Sequence, residues 1–118
     1  MALRILWADR AVQERHAILE FYRKRNGSAR YSQELLRHFR NNLRLAADLE
    51  LMGKPTDVAG VHCLFVVDYS IFYTTHEEDL LVLSLWDNRR DPNTRPFCRQ
   101  YRRQLNTSLG PEYGRITT

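Results

Sequence analysis

Cysteine is scarce in this chain of 118 residues: Cys63 and Cys98 lie far apart, with no Cys-x-x-Cys or Cys/His ligand spacing around them. Two cysteines and four scattered histidines do not make a structural zinc site. Cys63, set in an apolar run, reads as a small buried hydrophobe, and a disulfide is not expected in a reducing compartment. Long hydrophobic runs are also missing. The longest, Leu80 to Trp86, is broken by Ser84 and falls far short of the roughly 20 residues a membrane helix needs. The opening residues MALRILWADR have only a brief apolar stretch before Asp9 and Arg10, unlike the core of a secretory leader. A cytoplasmic protein with no membrane partner is the expectation. Internal repeats and low-complexity linkers are absent too, and a chain of this length supports one compact domain.

What is present is positive charge, unevenly placed. The formal net charge is +4. Residues 1 to 86 are balanced, with 11 basic and 11 acidic side chains. Residues 87 to 118 carry Arg89, Arg90, Arg95, Arg99, Arg102, Arg103 and Arg115 against Asp87, Asp91 and Glu112. A cluster made only of arginine favours phosphate or carboxylate partners, because the guanidinium is a flat fork of donors that stays charged. Either RNA or an acidic protein satisfies that chemistry.

Periodicity supplies the elements. Leu3 to Trp7 reads as a short strand, with Asp9 as N-cap of a helix that starts near Arg10. Ala11, Ile18 and Tyr22 form one apolar row of that helix, and Val12 and Leu19 an adjacent one. Arg23, Lys24 and Arg25 suit its C-terminal dipole, and Asn26-Gly27 ends it. Ser28 is the expected cap of a second helix, in which Tyr31, Leu35, Phe39, Leu43 and Ala46 recur at helical spacing until Met52-Gly53-Lys54-Pro55 stops it. TDVAG is then a loop. From His62 onward LFVV, SIFYTT and LLVLSLW are strand-like runs with short connections, which predict an antiparallel three-stranded meander. The fold class is therefore α+β, an N-terminal strand followed by a helical hairpin packed on a small antiparallel sheet. Beyond Pro92, Thr94, Pro96, Phe97, Tyr101 and Leu105 predict a short amphipathic helix with Arg95, Arg99, Arg102 and Arg103 on its other face. That helix either covers the sheet or belongs to a partner surface. Residues 109 to 118 are expected to be an irregular tail.

The basic helical hairpin, the DYSIFYT strand and the ending WDNRRDP, taken in order, resemble the RelE/ParE superfamily of bacterial type II toxins. The resemblance covers roughly residues 3 to 92. It implies a toxin domain over residues 1–92, with residues 93–118 as a basic extension, and the toxin half of a toxin–antitoxin module. Its partner would be a cognate antitoxin whose flexible, often acidic segment folds on the toxin surface. Members of the superfamily differ in target. Some cut mRNA on the ribosome by attack of the ribose 2′-hydroxyl on its own 3′ phosphate, with no metal or other cofactor; others disable DNA gyrase without catalysis. For the first activity, taken as the leading expectation, matching positions are Lys54, His62, Arg89 and Arg90 as catalytic groups, with Tyr73 joining if it faces the same side. His62 would shuttle a proton and the arginine pair would clamp the phosphate. Arg95, Arg99, Arg102 and Arg103 would contact RNA or the antitoxin. Two departures stand out: His62 occupies a place where many of the nucleases have arginine, and Asp87-Asn88 stand where one branch has histidine and an aromatic. A noncatalytic gyrase inhibitor, or an inactive relative that only binds, is the alternative. Arg37, Arg40 and Arg44 share one helix face, read first as its solvated side and otherwise as a phosphate-tracking stripe on rRNA.

Overall fold

The structure, a computed structural model, describes residues 3–49, 53–90 and 116–117. Strand β1 (Arg4–Ala8) leads into helices α1 (Asp9–Asn26) and α2 (Arg30–Leu49). The two-residue strand β2 (Lys54–Pro55), the strands β3 (Val61–Val66), β4 (Tyr69–His76) and β5 (Asp79–Asp87), and a final short strand β6 (Ile116–Thr117) complete the described elements. They form one sheet in the order β2-β3-β4-β5-β1-β6. The expected meander is its centre, with antiparallel β3–β4 and β4–β5 ladders. The sheet as a whole is mixed, not purely antiparallel, because β1 pairs parallel with β5, from Arg4↔Asp79 to Trp7↔Val82. A strand returning to its neighbour through two helices and three further strands has the long crossover that parallel pairing requires.

Three expectations need correction. Ala8, not Asp9, precedes the first helical residue, and it makes no side-chain cap bond, so Asp9 serves α1 as a first-turn charge at the positive end of the dipole. Lys54-Pro55 is not only a helix stop: it pairs with Cys63 and His62 as an edge strand, where proline's missing N–H is tolerated. Ile116-Thr117, expected in an irregular tail, pairs antiparallel with Ala8 and Trp7. The expected helix around Phe97 to Leu105, and Cys98, lie outside the described residues.

The helix pair covers one sheet face through Leu35, Phe39, Leu43, Ala46 and Ala47, all buried against Leu64, Val66, Ile71, Leu80, Val82 and Leu85. Each such large aliphatic or aromatic side chain is worth about 1.5–3 kcal/mol of transfer free energy. Gly27 ends α1 with φ 68°, as its position after Asn26 implies. The Ser32 hydroxyl donates to the Leu19 carbonyl at 2.6 Å, tying the two helices together near their turn. A second cluster lies on the opposite side of the sheet: Val61, Cys63, Phe72, Leu83 and Trp86 with Ala8. Cys63 is a buried free thiol.

β1 ends at Ala8 while β5 continues to Asp87, so the last part of β5 has no parallel neighbour there. Glu14 of α1 takes over at that edge. Its Oε1 accepts the Leu85 amide at 3.2 Å and the Ser84 hydroxyl at 2.9 Å, and Oε2 lies 3.7 Å from Arg10 Nε. A register shift between Phe72 and Tyr73 leaves Leu83 as the extra residue of β5 just before this contact, a β-bulge that bends the strand. Burial pushes the Glu14 carboxyl up, opposed by its bonds to Ser84, Arg10 and Leu85.

Two measurements follow from this geometry. A carboxylate whose pKa is raised by folding is bound to more protons in the folded than in the unfolded state, so its ionisation costs stability as pH rises through the folded value. Glu14→Gln keeps an acceptor for Leu85 and Ser84 without the charge. The melting temperature of this variant relative to wild type is expected to increase from acid towards neutral pH; a constant difference would contradict the account. In both tight hairpins the first loop residue has positive φ, Val67 at 56° and Glu77 at 53°. A β-branched side chain there is strained. Relief of about 1–2 kcal/mol against glycine's entropic cost of about 0.5–1 kcal/mol predicts a net gain for Val67→Gly of about 0.5–1 kcal/mol in denaturant unfolding.

Candidate functional site

At the end of β5 the chain turns tightly. The Arg90 amide donates to the Asp87 carbonyl at 3.0 Å, and the Arg89 amide donates to Asp87 Oδ1 at 2.9 Å. The second bond is an Asx-turn, which aspartate forms readily at the start of such a turn. Asn88 is anchored as well, its amide donating to the Asp68 carbonyl and its Oδ1 accepting from the Ser70 hydroxyl at 2.6 Å. Trp86, Asp87 and Asn88 are therefore pinned to β4 and to the turn between β3 and β4, and the two arginines project from that anchored end.

Arg89 folds back on this turn. Its Nε and Nη2 donate to the two Asp87 carboxylate oxygens, each at 2.9 Å, and Nη2 also donates to the Tyr22 hydroxyl at 3.1 Å. The Tyr69 hydroxyl donates to the same Tyr22 oxygen at 3.3 Å. Asp87 is held below the usual carboxylate range chiefly by its hydrogen bond from Arg89, and Arg89 is raised by the same bond and by that to Tyr22. The Tyr69 phenol is pushed up, mostly by burial and then by Tyr22. Arg90 turns instead to Trp86, its guanidinium 5.1 Å from the indole ring. Beside the turn is an open surface cavity of about 250 Å³ lined by Ile18, Phe21, Tyr69, Asp87, Arg89 and Arg90. Phe21 is half exposed there, and its ring meets Tyr22 edge to face at 5.0 Å.

Lys54 and His62 lie elsewhere. Lys54 pairs with Cys63, whereas His62 pairs with Pro55, so the two side chains leave opposite faces of the sheet. The Lys54 amine stands 5.6 Å from the ring of exposed Phe65. His62 stacks on Tyr73, ring centroids 5.6 Å apart, and its buried Nδ1 has no hydrogen-bond partner. The Tyr73 hydroxyl accepts the Gly53 amide at 2.9 Å. A Cβ at Gly53 would collide with that phenol, so only glycine fits there. His62 is opposite Tyr73, while Asp87 is opposite Tyr69, four residues along β4. At about 3.3 Å per residue that is a separation of roughly 13 Å along the strand alone. The four expected catalytic residues thus divide into a Lys54/His62 region and an Arg89/Arg90 region. Arg95, Arg99, Arg102 and Arg103 lie outside the described residues.

Tyr22 is the site residue that periodicity hid, since a tyrosine in an apolar row reads as core. Its ring is indeed buried, but its hydroxyl reaches the arginine turn. Asp87 has the opposite history: the sequence placed it beside two arginines, and it is Arg89 that takes the ion pair, not Arg90. No group of three or more His, Cys, Asp or Glu residues among the described residues is arranged to hold a metal. No described helix is long and apolar enough to cross a membrane.

The family model for the ParE toxin of the type II toxin–antitoxin system parDE matches residues 5–92. The chain belongs to the ParE toxin family. The match runs from β1 through the arginine turn, so it takes in the helical hairpin, the central meander and the WDNRR ending together. No curated protein matches the chain. Family membership makes the protein a type II toxin and implies a cognate antitoxin as its partner.

The Arg89–Asp87 pair is partly exposed, so its contribution is modest, about 0.5–1 kcal/mol as a double-mutant coupling energy from Asp87→Ala and Arg89→Ala. A depressed carboxylate gives stability that is present above its unfolded pKa and lost as pH falls through the folded value. The coupling should therefore be present at neutral pH and vanish in acid; a coupling independent of pH would mean that packing, not charge, joins the two residues.

Proposed function

We propose that this toxin acts by occupying its target, as a noncatalytic inhibitor of DNA gyrase. One observation carries the reading: the register of β4 sets His62 some 13 Å along the strand from the arginine turn and Lys54 leaves the opposite face from His62, so among the described residues the expected base, acid and phosphate clamp do not converge on one point. In-line attack by a ribose hydroxyl needs those groups within hydrogen-bond reach of a single phosphate. Arg89 supports the same reading, because two of its nitrogens already serve Asp87 and one of these also serves Tyr22. A carboxylate next to the proposed phosphate clamp would repel the substrate it was meant to hold. The ParE family match fits the gyrase-directed side of the resemblance.

Ribosome-dependent mRNA cleavage, the leading expectation from the sequence, is the competing mechanism, with Lys54, His62, Arg89 and Arg90 as its residues. For the antitoxin, the acidic segment expected of such partners matches the basic end of the chain, and we place its contact at Arg95, Arg99, Arg102 and Arg103.

Supercoiling by purified gyrase and primer extension on a defined mRNA in a reconstituted translation reaction distinguish the two mechanisms. Loss of supercoiling with intact mRNA is the expected result. New ribosome-dependent mRNA ends that disappear in a folded Arg89→Ala/Arg90→Ala variant would overturn the proposal. A second discriminator is the size of single-residue effects, since removing a catalytic group lowers a rate by orders of magnitude, whereas removing one contact of a binding surface does not.

A further inference from the structure

Away from the arginine turn, the two helices and β1 enclose a groove with an unusual charge balance. Two adjoining cavities, of about 350 and 480 Å³, share Arg40 as a common wall. Arg44 and Asn41 border the first, with Trp7 beneath. Gln13, Arg15 and His16 border the second. The Arg15 guanidinium lies 4.6 Å from the Trp7 ring, which links the two halves. No carboxylate among the described residues forms an ion pair with Arg15, Arg40 or Arg44. Arg15 is held below its usual range by burial first and by the charge of Arg40 second. Like charges gathered without a counter-ion are an unfavourable arrangement that an anion would relieve.

We propose that this groove binds the phosphate backbone of duplex DNA, with Arg40 and Arg44 of α2 as the outer contacts and Arg15 of α1 as the inner one. The arrangement of polarity favours DNA over an acidic peptide. The exposed lining residues are all polar: Gln13, His16, Arg40, Asn41 and Arg44. The apolar lining, including Trp7, Leu19 and Leu36, is buried or half-buried beneath that polar rim, so a ligand meets the charged and amide groups first. Arg37, Arg40 and Arg44 recur at i, i+3 and i+7, a row of about 10 Å at 1.5 Å per residue, suited to a linear array of phosphates. Guanidinium forks bind phosphate oxygens in pairs, and Gln13 and Asn41 add neutral donors of the kind that contact the backbone. The groove uses none of the residues of the arginine turn, and its binding is measurable without gyrase.

The test is fluorescence anisotropy of a labelled duplex of mixed sequence, titrated with the full-length toxin over a range of salt concentrations. Wild type is compared with Arg40→Gln/Arg44→Gln and with Arg23→Gln/Arg25→Gln, which removes the same charge from the end of α1. Arg40 and Arg44 are exposed, and thermal melts verify that the variants fold. Losing two phosphate contacts should reduce the slope of log affinity against log salt by about 2 and weaken binding about tenfold or more, with the Arg23/Arg25 variant close to wild type. Equal losses in the two variants, or none in Arg40→Gln/Arg44→Gln, would overturn the proposal by assigning DNA binding to net charge or to another surface. A labelled poly-glutamate peptide that binds more tightly than DNA, and depends on Arg40 and Arg44, would overturn it in favour of an acidic protein partner.

Discussion

The β4–β5 ladder is the constraint on which the rest of the molecule depends. Its pairs run from Tyr69↔Asp87 to His76↔Asp79, and Tyr69 to Tyr73 with Val82 to Trp86 are buried on one face or the other. Because side chains alternate across a strand, moving this ladder by one residue would exchange the two faces. Ile71, Tyr73, Val82 and Leu85 would leave the helix pair, and Phe72 and Leu83 would enter it. The register is thus held by two cores at once. The same register places Asp87 beside Tyr69, and through it the arginine turn beside Tyr22 on α1. Packing at the centre of the sheet determines where the charged ending of β5 comes to rest.

Carboxylates then divide the arginines into two populations. Asp87 holds Arg89 on the turn, and Glu20 holds Arg23 on α1. Glu14 has a different duty, closing the free edge of β5 by accepting from Leu85 and Ser84, so only its second oxygen faces Arg10, at 3.7 Å. A buried backbone N–H left without an acceptor costs about 1–3 kcal/mol, which explains why an acidic side chain at the edge of a sheet is retained despite the penalty of burying it. Arg15, Arg40 and Arg44 make up the second population, with no ion pair to a carboxylate among the described residues.

Much of this was legible in the residues. The i, i+4 rows of α2 gave Leu35, Phe39 and Leu43 as core, Asn26-Gly27 marked the end of α1, and the shift to β-branched and aromatic runs after His62 marked the meander. What escaped was whatever depends on pairing between distant segments. Two-residue strands such as Lys54–Pro55 and Ile116–Thr117 are too short to carry a period, and their existence is decided by the neighbour that offers an edge. The parallel position of β1 beside β5 is a matter of topology, to which hydrophobic alternation is blind. At the site, motif order placed Arg89 and Arg90 at a strand end, but distance between motifs in sequence says nothing about distance across a sheet. Lys54 and His62 therefore looked eligible for one active centre until the register separated them. Tyr22 escaped because a tyrosine serves core and site with different ends of one side chain.

A scaffold shared by nucleases and inhibitors makes the arginine at the end of β5 ambiguous by itself, and its partners decide what it is able to do. Were Arg89 free, its Nε/Nη2 edge could take a phosphate as a fork; bonded at both nitrogens to Asp87 and at Nη2 also to Tyr22, that edge must break those bonds first. Each bond lost is a charge-assisted hydrogen bond that incoming phosphate must replace, in the presence of the Asp87 charge it exposes. A protein surface meets no such obstacle, since it can accept from the remaining guanidinium donors while Asp87 stays where it is, and can place an apolar group against Phe21 and Ile18 in the adjoining cavity. An arginine held at a fixed angle by its own aspartate is pre-organised for recognition, and the entropy of ordering it has already been lost in folding. The feature that weakens the turn as a phosphate clamp is therefore the one that suits it to a protein target.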